Sequence, residues 1–169
     1  MEKLGNERVV PVSEVYDNPK YYEIAFSFRD IAAEVDVFEH AIKQYARIPV
    51  TTVLELGCGP APHLIELAQR NYRYIGLDLS SSMLACAQGR ADAADANTRF
   101  DLADMTDFRL DEQVQFAYVM LGSLAARNTA LWMANRKSAG RPLSCASCEV
   151  FMSIFEWQSH QLRHKRELR

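Results

Sequence analysis

A glycine turn, where a short apolar stretch gives way to a helical one, most constrains what this chain can fold into. The turn has the sequence GCG at residues 57–59 and follows the β-branched, apolar residues 50–56. Strand-like and helix-like stretches alternate beyond it, with helices predicted to begin at Pro62 and Ser80. The predicted strands are residues 50–56, 72–79, 98–104 and 115–121. This alternation predicts an α/β fold with a parallel sheet.

The stretch before the first strand is predicted to be helical. Asn18 can cap a helix, and Pro19 suits its first position. Apolar side chains then recur at intervals of three and four residues, at Ile31, Val35, Phe38, Ile42 and Tyr45. Pro49 ends the helix. We therefore expect residues 1–48 to form an extended arm and a helical cap, followed by a core over residues 49–126.

Glycine or acidic residues lie at the carboxyl ends of three of the predicted strands. The turn at residues 57–59 ends the first strand, Asp78 ends the second, and Asp104 ends the third. Asp78 lies 23 residues after Glu55, close to the ~20-residue offset of a ribose-binding acid in dinucleotide folds. Each signal alone also fits a purely structural role: a tight turn for the glycines, a helix cap beside Ser80 for Asp78, and a polar turn for Asp104. Together they predict one ligand site, because the carboxyl ends of parallel strands share an edge.

Several segments of the chain resemble one known family. Residues 53–59 (VLELGCG) resemble motif I of the class I methyltransferases that use S-adenosylmethionine. Residues 74–84, with their D-x-S-x-x-M-L pattern, are similar to the segment that follows motif I. Residues 116–124 resemble the family's fourth strand and loop, and residues 16–22 resemble its N-terminal cap. The resemblance implies a Rossmann-like sheet, S-adenosylmethionine as cofactor and in-line methyl transfer to a small-molecule acceptor.

The resemblance also implies which residues hold the cofactor. They are Tyr16, Tyr22, Glu55, Gly57, Cys58, Gly59, Asp78, Leu79, Met83, Asp104, Met105, Leu121 and Gly122. The glycines would admit the methionine moiety with Cys58 offering its backbone, and Glu55 would orient the loop or meet the amino group. Asp78 would hold the ribose hydroxyls. The remaining residues would surround the adenine, line the floor of the site or close over it.

No catalytic side chain is assigned, since the cofactor itself would carry the electrophile. His40 and His63 are the candidate bases, and His63 is expected to be an exposed residue of a first helical turn. Ala61 stands where the family often has a third glycine. An alanine is tolerable there if its φ stays negative.

Residues 127–169 differ in composition from the rest of the chain. Residues 1–126 hold eleven Lys and Arg against nineteen Asp and Glu, a net charge of −8, whereas residues 127–169 hold eight against three, a net charge of +5. Only 45 residues follow Leu124, fewer than the rest of the family's sheet requires. We interpret the basic tail as atypical, truncated or frame-shifted, with one further strand at residues 150–155 and a helix at residues 158–168. The incomplete sheet would expose an edge that predicts a homodimer.

Two other functions remain open at this stage. The chain could be a non-catalytic S-adenosylmethionine-binding remnant or regulatory module. It could also be a zinc-binding interaction protein, because Cys145, Cys148, His160 and His164 approach the spacing of a zinc finger. The overall charge of −3 argues against a nucleic-acid partner. The lack of a long apolar run argues against a membrane span and favours a cytoplasmic location.

Overall fold

The computed structural model describes residues 18–105, 107–120 and 150–153. Five strands form one sheet: β1 (Thr52–Leu56), β2 (Arg73–Asp78), β3 (Thr98–Leu102), β4 (Phe116–Val119) and β5 (Val150–Ser153). Their order is β3-β2-β1-β4-β5, and every neighbouring pair is parallel. The predicted α/β class and parallel sheet are confirmed. The further strand expected within residues 150–155 is β5, beside β4.

Four helices accompany the described strands: α1 (Pro19–Ala25), α2 (Ile31–Tyr45), α3 (Leu64–Gln69) and α4 (Ser81–Ala93). The predicted caps are confirmed, because the Asn18 side chain accepts from the amide of Lys20 and the Ser80 hydroxyl accepts from the amide of Met83. The helix predicted from Asn18 through Tyr45 is divided in two. Asp30 begins α2 as a second N-cap, accepting from the amide of Ala33 at 3.0 Å.

Three of the described helices pack against one face of the sheet. Alternate strand residues, including Val53, Tyr74 and Tyr118, meet the buried faces of α2, α3 and α4 in one core. The opposite face presents residues such as Leu54 and Ile75 to a second core. The residues between β3 and β4 supply part of its cover with Leu110, Val114 and the partly buried Met105 and Phe108. All five residues of β1 are buried, as expected for a central parallel strand.

The strand order fixes where a ligand can bind. The chain builds outward from β1 through β2 to β3 and then returns to place β4 on the other side of β1. The connections therefore diverge above the carboxyl ends of β1 and β4, which is the usual binding crevice of open α/β sheets. Within the described part of the chain, no helix combines the length and apolar character needed to cross a membrane. The boundaries at residues 48 and 126 stay predictions.

Candidate cofactor-binding site

The glycine loop leaves the carboxyl end of β1 in a conformation that requires its glycines. Gly57 has a φ of 65° and Gly59 a φ of 55°, both in the left-handed region. The loop is tied to the neighbouring strand, because the amide of Cys58 donates to the carbonyl of Leu77 at 3.0 Å. These two glycines therefore set a backbone path that ends at the carboxyl edge of β2.

Ala61 does not meet the condition of a negative φ under which an alanine would be tolerated without strain at this position. Its φ is 52°, a conformation that costs a non-glycine residue roughly 1–2 kcal/mol. The amide of Ala61 donates to the carbonyl of Cys58 at 3.0 Å, and its methyl group is fully buried in the helix-side core. The close of the turn and the buried methyl offset the strain. α3 begins at Leu64, two residues later than the start predicted at Pro62.

Asp78 lies at the end of β2 and joins two elements of the site. Its Oδ2 accepts from the amide of Gly59 at 2.7 Å, and its Oδ1 accepts from the amide of Ser80 at 2.8 Å. The carboxylate thus holds both the glycine loop and the start of α4. Asp78 therefore lies beside the loop, as expected of a ligand-binding acid, and it also caps the start of α4, as expected of a purely structural aspartate. Each oxygen has a second lone pair with which to accept a further donor.

The segment after β3 reaches the same edge. The amide of Ala103 donates to the carbonyl of Asp78 at 3.0 Å. This contact places Asp104, the next residue in the chain, near the end of β2. Asp104 forms an isolated antiparallel bridge with Asp107. Met105 packs partly buried against the core on the far side of the sheet. The three predicted segments therefore converge at one rim of the sheet.

Two leucines at this rim are unusually exposed for apolar side chains. Leu79 is 58% exposed, and Leu102, which is in register with Asp78, is 63% exposed. Met83, by contrast, is 1% exposed and lies beneath the surface of the site. No pattern in the sequence singles out Leu102, because its exposure depends on where β3 ends relative to β2.

Tyr22 stands beside the glycine loop. A Cβ placed on Gly59 would lie 3.8 Å from Cζ of Tyr22, so the phenol ring is close to the loop backbone. A salt bridge between Glu23 of α1 and Arg90 of α4 attaches this helix to the core. α1 therefore places an aromatic ring next to the segment that carries both loop glycines.

Glu55 points to the helix side of the sheet rather than to the rim. It is 2% exposed, and its Oε2 accepts from the hydroxyls of Tyr74 at 2.6 Å and Tyr118 at 2.9 Å. Burial raises the pKa of each tyrosine well above the ordinary value for a phenol, and the charge of Glu55 raises it further. Of its two expected roles, this geometry favours orienting the loop from below.

His63 is fully buried, so the expectation of an exposed first-turn residue is wrong. Its Nδ1 lies 3.1 Å from Oε1 of Glu55, and its Nε2 lies 2.8 Å from Oε2 of Glu34. Arg29 forms a salt bridge with Glu34 and also lies 2.9 Å from Nε2 of His63. His63 is buried because α2 packs over the start of α3. The periodicity of the sequence around His63 does not predict this contact between helices.

Gly76 is a second residue that the sequence did not single out. A Cβ at this strand position would lie 2.8 Å from Sγ of Cys58 and 2.9 Å from Cδ1 of Phe100. Cys58 is itself 1% exposed, and burial, with the charges of Glu55 and Asp78, raises the pKa of its thiol well above its ordinary value. The loop cysteine therefore packs downward into space that only a glycine in β2 leaves open.

Several predicted residues lie outside the described part of the chain. These are Tyr16, Leu121 and Gly122 of the cofactor set, and Cys145, Cys148, His160 and His164 of the zinc alternative. The helix predicted at residues 158–168 also lies outside it. Among the residues that are described, no group of three or more His, Cys, Asp or Glu side chains is arranged to hold a metal ion.

The strand order and the contact between the glycine loop and Asp78 define the class: a Rossmann-like domain of the nucleotide-binding type. Residues 53–140, just over half of the chain, match the family model described as "Methyltransferase domain". The chain belongs to this family, the class I S-adenosylmethionine-dependent methyltransferase domains.

Solved and curated proteins agree with this placement. The structure of SAM-bound CalS10, an amino pentose methyltransferase from Micromonospora echinaspora, superposes with a TM-score of 0.63 and 24% identity. The match covers 78% of this chain and 54% of CalS10. It bears out the Rossmann-like fold predicted for the chain.

Two curated relatives match over shorter stretches. A protein of Geobacillus sp. (strain WCH70) with a provisional methyltransferase name is 36% identical over 66 residues, 39% of this chain and 27% of its own length. A 2-heptyl-1-hydroxyquinolin-4(1H)-one methyltransferase of Mycobacteroides abscessus is 37% identical over 57 residues, 33% of this chain and 25% of its own. The matched part spans about a quarter of each relative.

Proposed function

We propose that the chain binds S-adenosylmethionine at the carboxyl rim of its sheet and transfers the methyl group to a small-molecule acceptor. The observation that carries the proposal is the 2.7 Å hydrogen bond between the amide of Gly59 and Asp78. It joins a left-handed glycine loop to an acid on the next strand, at the point where the strand connections diverge. A quinolone-methylating relative supports a small acceptor.

The residues at the rim suit the three parts of this cofactor. The loop at Gly57 and Gly59 lacks Cβ atoms where the backbone must approach the methionine moiety closely. The free lone pairs of the Asp78 carboxylate match two vicinal ribose hydroxyls. Leu79 and Leu102 offer apolar surface for the adenine ring, and Asp104 an acceptor for its exocyclic amine.

The bound cofactor supplies the electrophile, a methyl group on a sulfonium, for an in-line displacement. The chain's own residues then have to bind, align and exclude water, and alignment can account for much of the acceleration. Tyr22, beside the loop, would cover the methionine end of the site. We assign no catalytic base, because its need depends on the acidity of the acceptor.

Isothermal titration calorimetry with S-adenosylmethionine and S-adenosylhomocysteine tests the cofactor site. Asp78→Ala should weaken binding by roughly 1–3 kcal/mol, the value of hydrogen bonds to a charged group. Asp95→Asn is the matched control, since Asp95 has a φ of 48° in an exposed turn before β3 and asparagine tolerates that conformation. Unchanged affinity in a folded Asp78→Ala protein would remove Asp78 from the site.

Turnover separates an enzyme from a binding module. S-adenosylhomocysteine release should be measured with a panel of small amines, phenols and sugars as acceptors. Cofactor binding without release on any acceptor would favour the non-catalytic alternative. Stoichiometric zinc without cofactor binding would favour the metal-dependent alternative. The homodimer stays a prediction that light scattering decides.

A further inference from the structure

A buried charged cluster lies directly beneath the glycine loop, on the helix side of the sheet. It consists of Arg29, Glu34, Glu55 and His63, and we name it the sub-loop cluster. The side chains of Arg29, Glu55 and His63 are at most 4% exposed, and that of Glu34 is 14% exposed. The cofactor chemistry proposed above does not use these groups, yet burying four charged side chains is costly.

The carboxylates on both sides of His63 favour a ring that carries two protons. Both ring nitrogens face carboxylate oxygens, Nδ1 at 3.1 Å from Glu55 and Nε2 at 2.8 Å from Glu34. Carboxylates only accept hydrogen bonds, so both nitrogens donate and the ring is an imidazolium. Arg29 Nη2 also lies 2.9 Å from Nε2 and can only donate, so it opposes a proton there, but the guanidinium is engaged by Glu34, with Nε at 3.0 Å from Oε1 and Nη2 in a salt bridge with Oε2. Two positive and two negative charges then balance.

The surroundings of His63 are consistent with this protonation. Burial alone would lower the pKa of His63, but the charge of Glu55 and the hydrogen bonds to Glu34 and Glu55 outweigh it and raise the pKa above 6.5. Arg29 opposes the increase. From β4, the ring of Tyr118 packs edge-on against the imidazole at 5.4 Å.

The remaining neighbours come from β2 and α2. Tyr74 of β2 donates to Oε2 of Glu55, the oxygen that His63 does not contact. Phe38 of α2 packs edge-on against the imidazole with ring centres 5.2 Å apart. A neutral ring would leave the cluster with one uncompensated negative charge in this buried setting.

We propose that His63 is a positioning residue that fixes the glycine loop in its cofactor-binding geometry and couples the loop to the segment carrying Tyr22. Glu55 lies two residues before Gly57 and His63 lies two residues after Ala61, so their contact closes the loop at its base. Through Arg29 and Glu34 the same ring is joined to the start of α2, just after the helix that holds Tyr22. The inference rests on the cofactor site proposed above.

The test measures the affinity for S-adenosylhomocysteine by calorimetry between about pH 6 and pH 9, a range that spans an elevated histidine pKa. Wild-type affinity should fall as the pH rises, because the neutral ring releases one carboxylate. His63→Gln should bind roughly tenfold more weakly near pH 6, and the pH dependence that remains should be only that of the ligand's own α-amino group, which titrates at about pH 8 with either protein. Glu39→Gln, which alters a surface ion pair of α2 with Arg70, should retain the wild-type profile.

Glu34→Gln keeps the inference testable if His63→Gln does not fold. It removes one of the two carboxylates that stabilise the imidazolium, so the fall in affinity should move to lower pH. A wild-type profile in folded His63→Gln or Glu34→Gln would overturn the inference, and so would a wild-type affinity independent of pH.

Hydrogen exchange of the ligand-free protein distinguishes this failure from failure of the cofactor site. The opening equilibrium of the amides at residues 57–63, corrected for intrinsic exchange, should increase with pH in wild type and be pH-independent in His63→Gln. If wild type binds no cofactor at any pH, the proposed function fails while exchange still decides the role of His63. Equal protection in wild type and His63→Gln at every pH would refute that role.

Discussion

Adding one methyl group at Gly76 tests how the glycine loop is supported from below. Gly76 lies within β2, opposite Glu55 of β1 and Phe100 of β3. The Cβ of an alanine would lie 2.8 Å from Sγ of Cys58 and 2.9 Å from Cδ1 of Phe100. Both separations are well below the ~3.5–4.0 Å of a favourable carbon contact, so a neighbour must move.

The expected cost follows from two opposing effects. Overpacking a core by one methyl group typically costs ~1–3 kcal/mol. Replacing glycine by alanine inside a strand recovers ~0.5–1 kcal/mol of backbone entropy. Gly76→Ala should therefore lower the free energy of unfolding by about 1–2 kcal/mol. In a Cys58→Ala background the sulfur is absent and only the Phe100 ring must shift, so the penalty should be smaller.

Urea denaturation of wild type, both single variants and the double variant measures this coupling. We expect the double variant to be more stable than the sum of the single effects predicts, by at least about 0.5 kcal/mol. Gly89→Ala is the control, because a Cβ at Gly89 in α4 would meet nothing within 4 Å and should stabilise the helix. Additive effects of Gly76→Ala and Cys58→Ala would refute the packing argument.

Two further predictions concern the groups around Glu55 and Glu34. Tyr118→Phe should cost about 1–2 kcal/mol, because it removes one hydroxyl donor from a buried carboxylate; in urea denaturation, Tyr72→Phe, whose hydroxyl reaches Glu39 at 3.4 Å, should cost less. The pKa of Glu34 is lowered to about 2, since the hydrogen bonds from His63 and Arg29 outweigh burial, so its stabilisation is complete above pH 4.5 and disappears as pH falls through 2. Screening by solvent at this partly exposed group reduces the expected loss to ~1–2 kcal/mol, and the same acid-induced loss in Glu34→Gln would contradict the assignment.

The architecture and the rim of the site could be predicted from the sequence because both depend on local signals. Strand and helix periods alternate in the order that produces a parallel sheet, and strand ends mark one edge. The glycine loop and Asp78 therefore meet as expected, and the segment leading to Asp104 contacts Asp78 through the amide of Ala103, since all of them lie at strand ends. Capping residues such as Ser80 fixed the start of a helix for the same local reason.

The missed features depend on contacts between segments distant in the chain. His63 is buried because α2 packs over α3, although its nearest carboxylate partners are 8 and 29 residues away. Gly76 is needed because Cys58 approaches from the glycine loop and Phe100 from β3. Ala61 has a positive φ and a methyl group that is buried in the core. A motif defined by its glycines does not predict this burial.

The sub-loop cluster illustrates why a charged core can be retained beneath a binding site. A well-packed apolar cluster of similar volume is often as stable as a buried ion pair, so stability alone does not explain four buried charges. Hydrogen bonds, however, are directional, and Glu55 is held at once by Tyr74 of β2, Tyr118 of β4 and His63, the residue before α3. The residue two positions before Gly57 is thereby fixed in three directions. Apolar packing constrains orientation less tightly, which is why the polar arrangement suits a loop whose backbone must meet a ligand.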